Sequence, residues 1–108
     1  MFMAERLTVT QLNTRVRSLL TESGALRDIW VTGEISNLKR YSSGHYYFTL
    51  KDEGSEVRAV MFKGSRGRID FEPQENMKIA AVGHADLYVQ RGSYQFIAET
   101  MQKSGIGD

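Results

Sequence analysis

A small, mainly β barrel of five strands preceded by one N-terminal α-helix is the fold this sequence predicts. Three observations lead there. Residues 45–51 and 56–63 are β-rich runs flanking the polar segment Asp52-Glu53-Gly54-Ser55, the pattern of a hairpin. A second pair of runs, 77–89 and 93–101, flanks a turn at Arg91-Gly92. Ahead of both, Thr8 with Gln11 three residues later forms a capping box at the head of an apolar stripe with helical spacing.

The chain of 108 residues is one domain's worth, enough for a single core. Hydrophobic content of 41% with 25% charged residues is ordinary for a soluble globular protein. The net charge of +1 offers no global polycation argument, so any case for nucleic acid rests on where the 14 basic residues fall. With no cysteine there is no disulfide framework, thiolate metal site or cysteine nucleophile, and a reducing cytoplasm is the expected setting. The first residues lack the pattern of a signal peptide, and no apolar run approaches the ~20 residues that span a bilayer, so no membrane association is expected.

The helix is predicted over 8–23, with Val9, Leu12, Val16, Leu19 and Leu20 on one stripe, Arg15, Arg17 and Glu22 off it, and Gly24 as the stop. It reads as an amphipathic helix covering the end of a sheet rather than a DNA-reading one. In strand one, Ile29, Val31, Gly33 and Ile35 alternate with Trp30, Thr32 and Glu34, and Gly33 marks a bulge or sharp bend. Residues 36–44 read as a polar connection carrying Lys39, Arg40, Tyr41 and Ser43.

In the hairpin, a four-residue loop sets Leu50 opposite Val57, Phe48 opposite Ala59 and Tyr46 opposite Met61. The other face pairs Thr49 with Arg58, Tyr47 with Val60 and His45 with Phe62. Residues 64–76 are irregular, with room for one short helical turn and an exposed turn at Pro73. Strand four places Met77, Ile79, Ala81, Gly83, Ala85 and Leu87 on one side. A two- or three-residue turn would then pair Leu87 with Phe96 and Ala85 with Ala98, leaving Tyr88 and Gln95 outside.

Five strands split as one long bent strand, a hairpin, an irregular connection and a second hairpin match a Greek-key OB-fold barrel, preferred here over an SH3-like one. The domain is expected over 8–103, after an N-terminal segment 1–7 and before a linker 104–108.

Little points to catalysis. There is no Gly-x-Ser-x-Gly, no phosphate-cradling Walker loop, and no carboxylate pair at a working spacing. His45 and His84 lie on separate strands without metal-ligand spacing, and no cofactor is expected. The mixed face of the hairpin is more informative. OB barrels bind single strands across strands two and three, between the loops that join strands one to two and four to five. That surface would carry His45, Tyr47, Thr49, Lys51, Arg58 and Phe62, with Lys39, Arg40, Tyr41 and Ser43 on the first loop. Tyr88, Arg91 and Tyr94 would stand near the second, and Lys63, Arg66 and Arg68 would extend the charge along one edge. Aromatic rings stack on bases of any identity, and cations track phosphates. A protein or oligosaccharide ligand, or plain cross-strand packing, remains an alternative for the same face.

Three ordered blocks carry a family resemblance. They are Leu7-Thr8-Val9-Thr10-Gln11-Leu12-Asn13, Trp30-Val31-Thr32-Gly33-Glu34-Ile35-Ser36-Asn37, and Ser42-Ser43-Gly44-His45-Tyr46-Tyr47-Phe48-Thr49-Leu50-Lys51-Asp52. Together with Val60-Met61-Phe62-Lys63-Gly64 and Arg91-Gly92-Ser93-Tyr94-Gln95, they resemble the large subunit of bacterial exodeoxyribonuclease VII, from Leu7 onward. The resemblance implies the N-terminal OB-fold domain of a single-strand-specific exonuclease that cuts DNA to short oligonucleotides. It also implies a catalytic region and a small-subunit-binding segment outside this chain, so the domain should bind substrate without cutting it. Lys63 stands where that family has arginine, and Tyr46 where many members have tryptophan, a change expected inside the core. A role in assembly, such as homodimer formation, is the competing reading.

Overall fold

A computed structural model describes residues 4–104; the first three and last four residues, including most of the expected linker, lie outside the described part. Helix α1 (Val9–Glu22) is followed by β1 (Ile29–Arg40), β2 (Tyr46–Lys51), β3 (Glu56–Met61), a 3-10 helix (Lys63–Arg68), β4 (Lys78–Tyr88) and β5 (Ser93–Lys103). The strands close into a barrel in the order β1-β2-β3-β5-β4, with β3 and β5 parallel and all other neighbours antiparallel.

Alternation decides what fills the barrel. Ile35, Tyr46, Phe48, Leu50, Ala59, Met61, Ile79, Ala81, Phe96, Ala98 and Met101 form the core. Small residues serve where strands cross closely. A methyl group at Gly33 would sit 2.9 Å from the Lys51 carbonyl oxygen. There β1 turns from one partner to the other, Glu34 pairing with both Lys78 and Lys51. At Gly83 a methyl would run into the backbone carbonyl of Ile97.

The β2–β3 register is the predicted one, from Tyr46 opposite Met61 to Lys51 opposite Glu56. Four other expectations give way. First, β1 continues to Arg40, so 36–44 is mostly strand. An irregularity falls between Ser36 and Lys39, where Asn37 takes a φ of 53° and the Glu75 carboxylate accepts the amides of Asn37 and Leu38. Second, β4 and β5 are joined by a four-residue turn, which slides the register by two: Leu87 faces Tyr94, Ala85 faces Phe96 and Gly83 faces Ala98. Third, Pro73 is fully buried rather than on an exposed turn. Fourth, the helix buries little of its stripe. Val9, Leu12 and Leu19 are 74%, 50% and 69% exposed, and Val16 and Leu20 alone line an apolar cavity of about 460 Å³ against the barrel end.

Polar residues hold α1 in place. Thr8 and Gln11 form the predicted capping box. Asn13 donates to the Val89 carbonyl, and Arg17 pairs with Asp86 at 2.9 Å. Arg15 pairs with Glu5. Among the described residues no helix is long and apolar enough to cross a membrane, and no group of three or more potential ligands could hold a metal.

Candidate nucleic-acid interface

Outward positions on β2 and β3 follow from the same alternation that fills the core. Tyr47 and Thr49 face out from β2 with His45 just before it, and Arg58 faces out from β3 with Phe62 just beyond it. The rings meet edge to face. Tyr41 and Tyr47 have centroids 5.1 Å apart at 90°, His45 and Tyr47 lie at 6.5 Å, and His45 and Phe62 at 5.3 Å and 88°. Tyr41, Tyr47 and Phe62 are 51%, 38% and 41% exposed. The result is a four-membered aromatic row open to solvent. Tyr41, expected on the first loop, becomes its outer end.

Below this row lies a groove of about 400 Å³ lined by Lys39, Tyr41, Tyr47, Thr49, Arg58 and Gln95, among others. No carboxylate lines it. Among the described residues, Lys39, Arg58 and Lys63 enter no ion pair. Three cations therefore stand around the rings with their charge uncompensated by contact, the arrangement that attracts a polyanion. The outward face is not open throughout, however. Val60, between Tyr47 and Ile97 in register, is fully buried, so cross-strand packing accounts for that position.

The border is held by a clamp around Tyr46. Its ring is buried, and its hydroxyl donates to Glu72 at 2.9 Å. The Arg66 guanidinium lies 4.2 Å over the ring and donates to the Gly44 carbonyl. Arg40 reaches the same Glu72 at 2.9 Å and also donates to the Pro73 carbonyl. Burial, then the bond to Glu72, pushes the Tyr46 hydroxyl pKa up. The Tyr46 hydroxyl and Arg40 hold the Glu72 carboxyl below its usual range. His45 joins this framework by accepting the Lys63 amide at Nδ1, 3.0 Å away.

The predicted site residues thus fall into groups. Lys39, His45, Tyr47, Thr49, Arg58, Phe62 and Lys63 share the open face, with Ser43 exposed on the loop leading into it. Lys39 and Arg40 belong to β1, not to the first loop. Arg40 and Arg66 are committed to the clamp, so they shape the border instead of offering free charge. Tyr88 and Arg91 lie at the opposite end of the face. The β4–β5 turn precedes Ser93, and β5 runs parallel to β3 with Ala59 beside Phe96, which sets that turn near the start of β3. Tyr94 follows the inward parity of Leu87 and Phe96 and lines the apolar cavity under α1. Gln95, absent from the predicted set, reaches the groove because β5 is the neighbour of β3, a pairing local alternation does not reveal.

A closed five-stranded barrel with this open face defines a class, and the chain belongs to the OB-fold nucleic acid binding domain family, whose model matches residues 7–102. Within that class the sequence matches exodeoxyribonuclease 7 large subunits, as the resemblance implied. It is 42% identical to that of Halothermothrix orenii and 50% identical to that of Tolumonas auensis, each over 93% of this chain. The chain spans 25% and 22% of the length of those two relatives. Two solved structures share the fold. The S. pombe Stn1–Ten1 complex matches with a TM-score of 0.61 at 16% identity, over 75% of this chain and 60% of that one. A replication protein A heterotrimer bound to single-stranded DNA matches with a TM-score of 0.60 at 10% identity, over 73% and 58%.

Proposed function

We propose that this chain is the single-stranded DNA-binding OB domain of an exodeoxyribonuclease VII large subunit, working in the cytoplasm. It presents DNA for exonucleolytic cutting by a catalytic region outside these residues, and a separate segment, also outside them, holds the small subunits. The observation that carries the reading is the exposed row of Tyr41, Tyr47, His45 and Phe62, with Lys39, Arg58 and Lys63 unpaired around it. Rings supply stacking for any base, and cations supply a salt-sensitive hold on phosphate. The replication protein A structure, described as bound to single-stranded DNA, supports the choice of ligand.

Fluorescence anisotropy of a labelled oligo-dT titrated with the chain at two salt concentrations tests the proposal. Binding that weakens as salt rises is expected, with no degradation of the oligonucleotide. Failure to bind at low salt would refute it. The second reading, an assembly module, draws on the exposed Val9, Leu12 and Leu19 of α1. Light scattering would then show a concentration-dependent dimer indifferent to DNA.

A further inference from the structure

The groove beneath the aromatic row has a chemical bias that stacking does not explain. Its polar wall crosses the sheet as a register line. Thr49 pairs with Arg58. The parallel register that sets Ala59 beside Phe96 brings Gln95 next to Arg58. Lys39 stands beside Tyr47 on the adjoining line. Arg58 makes no side-chain hydrogen bond or ion pair among the described residues, and no carboxylate lines the groove. The wall therefore offers many donors, led by a guanidinium fork with no partner inside the protein. At its rim the Tyr41 and Tyr47 rings meet at 90° and form a corner against which one base can lie.

We propose that this groove reads one nucleobase of the bound strand and prefers guanine, with Arg58 as the specificity-determining residue. The inference rests on the single-stranded DNA reading above. A groove of about 400 Å³ lies in the small-ligand range, sufficient for one base. In a single strand the base edges are free to be read. Guanine presents O6 and N7 side by side, which matches the two parallel N–H groups of arginine. Adenine places an amino donor beside N7, where a second acceptor is needed. Cytosine offers O2 and N3 as adjacent acceptors on its free Watson–Crick edge and is the nearest competitor. Thymine has carbonyl acceptors, but its N3–H lies between them. Lysine at position 58 would keep the charge and lose the fork.

Competition against labelled oligo-dT by an unlabelled oligo-dT, and by the same oligomer with one central dG, dA or dC, tests this directly. The dG oligomer should compete about fivefold better or more than plain oligo-dT and the dA oligomer, with the dC oligomer between them and dG. Within Arg58→Lys, whatever its affinity for plain oligo-dT, the dG oligomer should compete no better than plain oligo-dT. Equal competition by all four oligomers overturns the inference and leaves single-strand binding standing. A dG preference that survives in Arg58→Lys overturns the assignment to Arg58. If no oligomer binds at all, the DNA reading itself fails and this inference with it.

Discussion

Phe62→Ala separates a binding platform from a packed surface. Phe62 is 41% exposed, and its ring meets His45 at 5.3 Å. Phe62 is thus about three-fifths buried, and removing its ring gives up most of that burial, so the stability cost is about 1–2 kcal/mol. A domain with roughly 5–15 kcal/mol of stability remains folded after that loss. A base stacked on the ring contributes about 1–3 kcal/mol, which is roughly a 5- to 150-fold rise in Kd. The affinity effect can therefore be read without confusion from unfolding. Oligo-dT anisotropy, run beside a urea titration of the same sample, measures both quantities. Trp30→Ala is the control. Trp30 is 57% exposed, on the part of β1 that pairs with β4 away from the hairpin, and its truncation should leave Kd within about twofold. A Phe62→Ala protein that is folded and binds within about twofold of the parent would refute the platform.

Removing both Lys39 and Lys63 as alanines should flatten the plot of log K against log salt by about 1.4, if each contacts one phosphate; an unchanged slope would place the phosphate path elsewhere. Gly83→Ala forces a methyl into the Ile97 backbone, 2.9 Å from its carbonyl carbon, while Gly54 has open space around it. Overpacking of about 1–3 kcal/mol should lower Tm by at least about 4–8 °C at Gly83, with Gly54→Ala near the parent. Asp86, held down chiefly by Arg17, and Glu72, held down by Tyr46 and then Arg40, both have folded pKa values below their ordinary 3.8 and 4.5. Their stabilisation is full above those values and is lost as pH falls through the lower folded ones. Denaturation midpoints should therefore drop on acidification into that window, and Asp86→Asn should remove part of the drop.

Local pattern carried much of this fold. The β2–β3 register followed from a four-residue polar loop and strict alternation, and the capping box from Thr8 and Gln11 alone. What escaped the sequence depended on distant partners. Residues 36–40 read as loop because they are polar and include Asn37, but Glu75 satisfies two of their amides across a long chain separation. The β4–β5 register slid because a four-residue turn and a two-residue turn leave the same inward set facing inward. Arg40 and Arg66 looked like free surface charge, since the carboxylate that engages Arg40 lies 32 residues along the chain and the ring under Arg66 lies 20 residues back. Gln95 entered the groove through strand order, a property of barrel closure. The helix stripe was visible, but how little of it would be covered was not.

The clamp on Tyr46 bears on how quickly and at what thermal cost a strand can dock. Arg66 ties the first loop at Gly44, and Glu72 gathers Tyr46 and Arg40 from two strands. That border is ordered before any ligand arrives, so docking needs no loop to fold around the strand. Calorimetry should then show only a small heat-capacity change, without the large signature of coupled folding. Association should depend on encounter and charge rather than on a slow rearrangement, and differences between ligands should appear mainly as differences in residence time.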